Sequence, residues 1–232
     1  RLDWYDTLMS IDTSGFQSPG ALKKDDQHRA HRLRTTFGHV QVAWNMMTGW
    51  GVPDAAVDAG LAMLRGLLGD QRLEDGRIPV VVCATDLMSG SRVEMERGLA
   101  RDAVYASSAL AGIVPPAEMD GTLLADGVYA DVAPVDVARA MAPAVVIVVD
   151  PSQPGEEPEI HNGLQAVMRA MEICHLKHAE LRVRQADLVI RPNFGRYVDT
   201  LDFGARRLCV AAGLRAAHGS VDEVRGLLQA RG

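Results

Sequence analysis

Three aspartates stand where an α/β protein presents chemical groups, at or beside the ends of apolar segments. Asp86 and Asp150 each follow an apolar run, and Asp126 forms an Asp-Gly pair with Gly127. An Asp-Gly pair is most often a turn, and three carboxylates beside strands could also hold Mg²⁺. The residue types alone favour a turn at Asp126 and chance placement of the three carboxylates.

The histidines include two pairs spaced three residues apart, His28 with His31 and His175 with His178. This spacing puts both imidazoles on one helix face, but zinc needs a third or fourth ligand, and no HExxH motif is present. Polar surface pairs are the simpler interpretation. The sequence therefore predicts neither a bound metal nor a cofactor.

Glycine motifs of the common nucleotide and esterase sites do not occur in these 232 residues. Neither GxGxxG nor GxxxxGKS/T is present, which argues against the corresponding nucleotide enzymes. GxSxG, the strand-to-helix turn that exposes a nucleophilic serine, is absent, and Ser89-Gly90-Ser91 does not fit it. The residues give no support to a Ser-His-Asp triad.

Composition describes an ordinary soluble globular protein, with 47% hydrophobic and 23% charged residues. The net charge of −6 argues against nucleic acid, which binds a basic face. No apolar run approaches the roughly 18 residues that cross a bilayer, and no signal peptide is expected from the residues of this sequence. These features predict a cytoplasmic protein.

Apolar periodicity predicts the secondary structure. Buried strands are expected at Ile78–Ala84, Ala144–Val149 and Ala186–Ile190, and a hairpin over 118–124 around Asp120-Gly121. Helices are expected over 30–48, 54–68, 97–111, 134–141 and 159–185, with two more near the C-terminus. In the helix over 159–185, the residues expected to face inward are Leu164, Val167, Met168, Met171 and Leu181. Buried strands that alternate with helices predict an α/β fold: one domain over residues 1–232, with a mostly parallel sheet covered by helices on both faces.

Five segments, in this order along the chain, resemble the patatin-like phospholipases, in particular the bacterial branch related to neuropathy target esterase. They are ATDLMSG (Ala84–Gly90), ASSALAGIVPP (Ala106–Pro116), ADGVYADVAPV (Ala125–Val135), AVVIVVD (Ala144–Asp150) and ADLVIRPNFGRYVDTLDF (Ala186–Phe203). Each segment is weak evidence alone, but their shared order and spacing are fairly specific. The resemblance implies a three-layer α/β/α fold.

The resemblance also implies a lipid acyl hydrolase with a Ser-Asp dyad and no histidine. In that family an elbow serine attacks an ester carbonyl, an aspartate of a D-G-G or D-G-A motif is its base, and a glycine-rich loop forms the oxyanion hole. The motif's aspartate corresponds to Asp126 and its glycine to Gly127. The implied substrates are fatty-acyl esters such as phospholipids or lysophospholipids, with peripheral contact to a membrane.

The chain departs from the family pattern in two ways. The oxyanion loop, the elbow serine and the first strand are expected before residue 1, so this chain alone is predicted to be inactive. Val128 stands where the family has Gly or Ala, Val132 where it usually has Asn, and Ala111 where it usually has Pro. A β-branched Val128 is expected to resist positive φ and to crowd the dyad. The alternative is a non-catalytic, patatin-derived protein that binds lipid or a partner.

Overall fold

A computed structural model of the chain describes residues 4–10, 54–112, 114–153, 160, 163–198 and 202–231. The chain forms two compact units, Arg1–Ala130 and Asp131–Gly232. The helix predicted over 30–48 and the pair His28 and His31 lie outside the described residues. The single domain over 1–232 stays a prediction, and the two units are described in turn.

The first unit contains a four-stranded antiparallel sheet in the order β2-β1-β4-β3. Its elements are α1 (Trp4–Ser10), α2 (Asp54–Leu68), a 3₁₀ helix (Leu73–Asp75), β1 (Val82–Asp86), β2 (Arg92–Met95), α3 (Ala100–Ser107), β3 (Ala117–Met119), β4 (Thr122–Asp126) and a 3₁₀ helix (Gly127–Tyr129). The predicted hairpin is confirmed as β3–β4. Asp120 and Gly121 have φ of 51° and 77°, the two left-handed positions that a tight two-residue hairpin turn needs.

The strand predicted over Ile78–Ala84 begins four residues later than expected, at Val82. Ile78 is 75% exposed, so the prediction that this part of the run is buried was wrong. The register explains the difference, because Val82 pairs with Met95 and β2 ends there. An apolar run becomes a strand only where a neighbouring strand supplies hydrogen bonds.

The core of the first unit lies between α3 and the sheet. Ala103 and Ala106 of α3 are buried, as are Ala84 of β1 and Leu124 of β4. Small side chains on the helix and on β1 let the two backbones approach closely, and burial of Leu124 contributes roughly 1.5–3 kcal/mol. This packing fixes α3 and the loop after it beside the end of β4.

The second unit contains a parallel two-stranded sheet. Its elements are α4 (Val135–Ala140), β5 (Ile147–Val149), α5 (Gly163–Val183), β6 (Leu188–Ile190), a 3₁₀ helix (Phe203–Ala205), α6 (Arg206–Gly219) and α7 (Val221–Arg231). α5 lies in the long connection between β5 and β6, as a parallel pair requires. A small core of Ala133, Val135, Val146 and Val183 holds the unit together.

Two burial predictions in this unit were wrong. β5 is shorter than the predicted Ala144–Val149, and Val149 is 62% exposed. On α5, Leu181 was expected to face the core but is 64% exposed. The buried stripe of this helix runs instead through Ala179 and Val183, four residues apart on one face.

The buried carboxylate of Asp187 is hydrogen-bonded to three other parts of the second unit. Asp187 Oδ2 accepts a hydrogen bond from Arg139 Nη1 at 2.7 Å and one from the Val146 N–H at 2.7 Å. Its Oδ1 accepts one from Arg231 Nη2, and Arg231 Nη1 donates to the Ala144 carbonyl at 2.8 Å. The bond from Arg139 is the main reason that the pKa of Asp187 lies well below its ordinary value. Asp187 thereby connects α4, the approach to β5 and the end of α7.

The predicted α/β class is confirmed, although the sheets differ from the mostly parallel arrangement that was expected. The four-stranded sheet is antiparallel, and parallel pairing in the described residues is limited to β5 and β6. Chain connectivity gives part of the reason: β1 to β2 and β3 to β4 are joined by connections of a few residues, which permit only hairpins. Within the described ranges, no helix has the length and hydropathy that crossing a bilayer requires.

Candidate active site

Asp126 is the last residue of β4 and lies opposite Ala84 of β1. It also caps the 3₁₀ helix Gly127–Tyr129, because its Oδ1 accepts a hydrogen bond from the Val128 N–H at 2.9 Å. Such a bond orients the carboxylate. The prediction that Asp126 lies in a turn at a strand end is confirmed.

Two hydrogen bonds fix the main chain of Asp126. Its N–H donates to the Ala109 carbonyl at 2.9 Å. Its carbonyl accepts from Thr85 Oγ1 at 2.8 Å, and the same Oγ1 accepts from the Ala130 N–H at 3.0 Å. Thr85 is 3% exposed, so these bonds are shielded from water. The backbone that carries the carboxylate is therefore held from two sides.

Gly127 is required by a close approach between the turn and β1. A Cβ placed on Gly127 would lie 2.6 Å from the Cys83 carbonyl oxygen and 3.1 Å from the Cys83 carbonyl carbon. Real Cβ atoms essentially never come so near a backbone atom, and a strand carbonyl cannot swing aside as a flexible side chain can. The lack of room for a side chain next to β1 therefore requires glycine as the second residue of the Asp-Gly pair.

Val128 lies inside the 3₁₀ helix, where φ is negative. The described non-glycine residues with positive φ are Asp120 and Ala142, so the expected conflict between a β-branched residue and a positive φ does not arise at Val128. The Val128 N–H instead supplies the hydrogen bond that orients Asp126. Crowding of a dyad by the Val128 side chain stays a prediction.

Tyr129 completes the site. Its hydroxyl accepts a hydrogen bond from the Ala111 N–H at 2.9 Å. Burial raises the pKa of Tyr129, the Ala111 bond acts to lower it, and the negative charge of Asp126 raises it further. A proline at position 111, which the resemblance implied as the usual residue there, would have no N–H to donate.

The other two aspartates have local structural partners. Asp86 accepts from the Ser89 hydroxyl at 2.6 Å and from the Met88 N–H at 2.9 Å, and the Ser89 bond is the main reason that its pKa is lowered. In the second unit, burial acts to raise the pKa of Asp150. Bonds from Ser152 and Arg191 outweigh it and leave the pKa below its ordinary value. Among the described residues, no group of three or more His, Cys, Asp or Glu could hold a metal ion.

Sequence reasoning identified Asp126 and Gly127 but missed Thr85 and Tyr129. A signal for Thr85 was present, since it is a polar residue at the end of an apolar strand and buried hydroxyls need partners. The signal for Tyr129 was weaker, because an aromatic residue after a turn is usually taken as packing. Both residues act through contacts between distant parts of the chain.

Fold and site together define an α/β protein that presents a carboxylate from a glycine-dependent turn at a strand end. The family model described as patatin-like phospholipase matches residues 14–139, more than half of the chain, and this range includes the whole site. The chain belongs to the patatin-like phospholipase family, as the resemblance implied.

Relatives from yeast, bacteria and a nematode are similar to part of this chain. Lysophospholipase NTE1 of Saccharomyces cerevisiae is 31% identical over 122 residues, which are 51% of this chain and 7% of the yeast protein. An uncharacterised NTE family protein of Mycobacterium tuberculosis is 40% identical over 116 residues, 47% of this chain and 32% of that protein. A putative patatin-like phospholipase domain-containing protein of Caenorhabditis elegans is 33% identical over 98 residues, 41% of this chain and 9% of the relative. The matched regions thus span from 7% to 32% of the relatives' length.

Proposed function

We propose that the protein is a lipid acyl hydrolase in which Asp126 is the general base of a Ser-Asp dyad. The observation that carries the proposal is the placement of Asp126: a carboxylate at a strand end, on a backbone held by Ala109 and Thr85. A base is effective only if its position is fixed within hydrogen-bond reach of the nucleophile. The family membership supports this role for the Asp-Gly turn.

In the proposed reaction, Asp126 accepts the proton of the serine hydroxyl as the serine oxygen attacks the ester carbonyl. Backbone N–H groups stabilise the oxyanion, and the C–O bond to the alcohol breaks as Asp126 returns its proton to the departing alcohol oxygen. Water then cleaves the acyl-serine by the same route and releases the fatty acid. A carboxylate can accept about four hydrogen bonds, and the Val128 N–H uses one of these positions. The bond to Val128 is therefore compatible with proton acceptance by Asp126.

The serine and the oxyanion loop are proposed to lie outside these 232 residues, because GxSxG does not occur in them. The chain by itself is therefore expected to be inactive. Both units are proposed to belong to one patatin-like domain. The family match supports this, since residues 14–139 extend across the boundary between Ala130 and Asp131.

The proposed substrates are carboxylic esters of fatty acids, with phospholipids and lysophospholipids as the leading examples. The name of the yeast relative, a lysophospholipase, supports this class. We further propose a cytoplasmic protein that contacts a membrane peripherally, since its substrates reside there.

An esterase assay with a short-chain nitrophenyl ester tests the proposal on the full gene product and on this chain. The full product is expected to hydrolyse the ester, and Asp126→Asn should lower kcat by about 10²–10⁴-fold. Asp120→Asn is the matched control, because it alters the other Asp-Gly turn of the same unit and asparagine tolerates the left-handed φ. Full activity of Asp126→Asn would refute the dyad. Activity of this chain alone would refute the proposal that the serine nucleophile lies outside these 232 residues.

The alternative function is a non-catalytic protein that binds lipid or a partner. The observation that favours it is the lack of a nucleophile motif in these residues. It predicts that the full gene product binds fatty-acyl lipid vesicles but hydrolyses neither the nitrophenyl ester nor a lysophospholipid. Ester hydrolysis that depends on Asp126 would exclude it.

A further inference from the structure

The hydroxyl of Thr85 lies where β1 meets the turn that carries Asp126. Thr85 itself is almost completely buried, and its strand neighbour Ala84 and its partner across the ladder, Ala125, are fully buried. A hydroxyl in such a place must be hydrogen-bonded, since burial without a partner is costly. Both of its bonds go to the turn: it donates to the Asp126 carbonyl and accepts from the Ala130 N–H.

These two bonds fasten both ends of the turn to β1. The carbonyl bond fixes the peptide plane directly after Asp126, and the Ala109 carbonyl holds the N–H directly before it. Because the Cα–Cβ direction follows from these two planes, they also aim the carboxylate. The Ala130 N–H has a second acceptor in the Gly127 carbonyl, at 3.2 Å. The turn can therefore form without Thr85, and the hydroxyl ties it to the strand at these two atoms.

We infer that Thr85 is a positioning residue for Asp126. Its hydroxyl locks the turn against β1 and so holds the Asp126 carboxylate in the place where it meets the serine. This inference rests on the proposed function, and it deepens that function by assigning the group that sets the geometry of the base. A displacement of about 1 Å in such a group costs on the order of 10²-fold in rate.

The test is steady-state kinetics on the full gene product with Thr85→Val and Thr85→Ser. Valine keeps the shape of threonine without the hydroxyl, whereas serine keeps the hydroxyl. Thr85→Val is expected to lower kcat by about 10–100-fold with little change in KM, and Thr85→Ser should retain most of kcat. A merely structural role would lower the unfolding midpoint of Thr85→Val, and kcat per folded molecule would stay at the wild-type value.

A double substitution shows whether Thr85 acts through Asp126. In the Asp126→Asn background, Thr85→Val should cause no further loss of kcat, because residues that act as a unit are not additive. Wild-type kcat in Thr85→Val, with Asp126→Asn inactive, would overturn the inference and leave the proposed function standing. Full activity of Asp126→Asn would overturn the proposed function itself.

Circular dichroism and the unfolding midpoint establish that each variant is folded. If Thr85→Val does not fold, Thr85→Ala replaces it. Amide hydrogen exchange over residues 126–130 then gives a readout that does not depend on activity. Faster exchange in Thr85→Ala than in Thr85→Ser supports the inference that the hydroxyl holds the turn against β1. Equal exchange in the two variants overturns it.

Discussion

Gly127→Ala tests the close approach between the site turn and β1. The added Cβ would lie 2.6 Å from the Cys83 carbonyl oxygen, whereas ordinary contact begins at 3.4 Å. The two atoms must therefore separate by about 0.8 Å. Cys83 belongs to a strand that is paired with β2 on one side and β4 on the other, so the turn is the part that moves.

This displacement has two expected effects. Overpacking of this kind costs about 1–3 kcal/mol of unfolding free energy, which urea titration of the chain measures as a lower midpoint. In the full gene product, a shift of nearly 1 Å in the turn should lower kcat by about 10²-fold. Thr85 and Ala109 oppose the shift, so part of the strain is expected to appear as lost stability.

Gly66→Ala is the matched control in the same unit. Gly66 lies in α2, and nothing comes within 4 Å of an added Cβ. Alanine at a helical position should raise stability by about 0.5–1 kcal/mol and leave kcat unchanged. If Gly127→Ala behaved like Gly66→Ala in both measurements, the close approach and its role in placing Asp126 would be refuted.

Two further predictions concern ionisable groups. The pKa of Asp187 is lowered mainly by Arg139, so its contribution to stability is present above about pH 4 and lost as the pH falls below that value. Asp187→Asn should therefore unfold at a lower urea concentration than wild type at pH 7. Its urea midpoint should also fall less than that of wild type when the pH is lowered from about 4. An equal fall of the midpoint in both proteins would contradict this prediction. The pKa of Tyr129 is raised first by burial and also by Asp126, so Asp126→Asn should lower it toward its ordinary value. Ultraviolet titration of the phenol measures this shift, with Tyr129→Phe to identify the signal. If Tyr129 had the same pKa in wild type and in Asp126→Asn, the charge of Asp126 would not act on Tyr129.

Local patterns in the sequence predicted the parts of the site whose conformation is local. Asp120-Gly121 identified the β3–β4 hairpin because its two residues tolerate left-handed φ. The position of Asp126 at a strand end followed from the Asp-Gly pair and the family resemblance. These features depend on a few consecutive residues, and the sequence shows them directly.

The remaining features depend on partners that are distant along the chain. Thr85 and Asp126 are 41 residues apart, and no periodicity reveals that a buried hydroxyl meets that carbonyl. Gly127 looked like a turn glycine, but the Cys83 carbonyl is the atom that excludes a side chain. The exposure of Ile78 has the same origin, since the end of β2 at Met95 decides where β1 begins.

The contact between Arg231 and the Ala144 carbonyl has a consequence for synthesis on the ribosome. The two residues are 87 positions apart, so the contact forms only after Arg231 has left the ribosome. The hydrogen bonds around Asp126 involve residues up to Ala130, which is made much earlier. Translation adds about 5–20 residues per second. The site turn therefore has several seconds to fold before Arg231 can make its contact with the Ala144 carbonyl. A pause or rare codons between these points would lengthen the life of a nascent chain whose second unit still lacks its last helix.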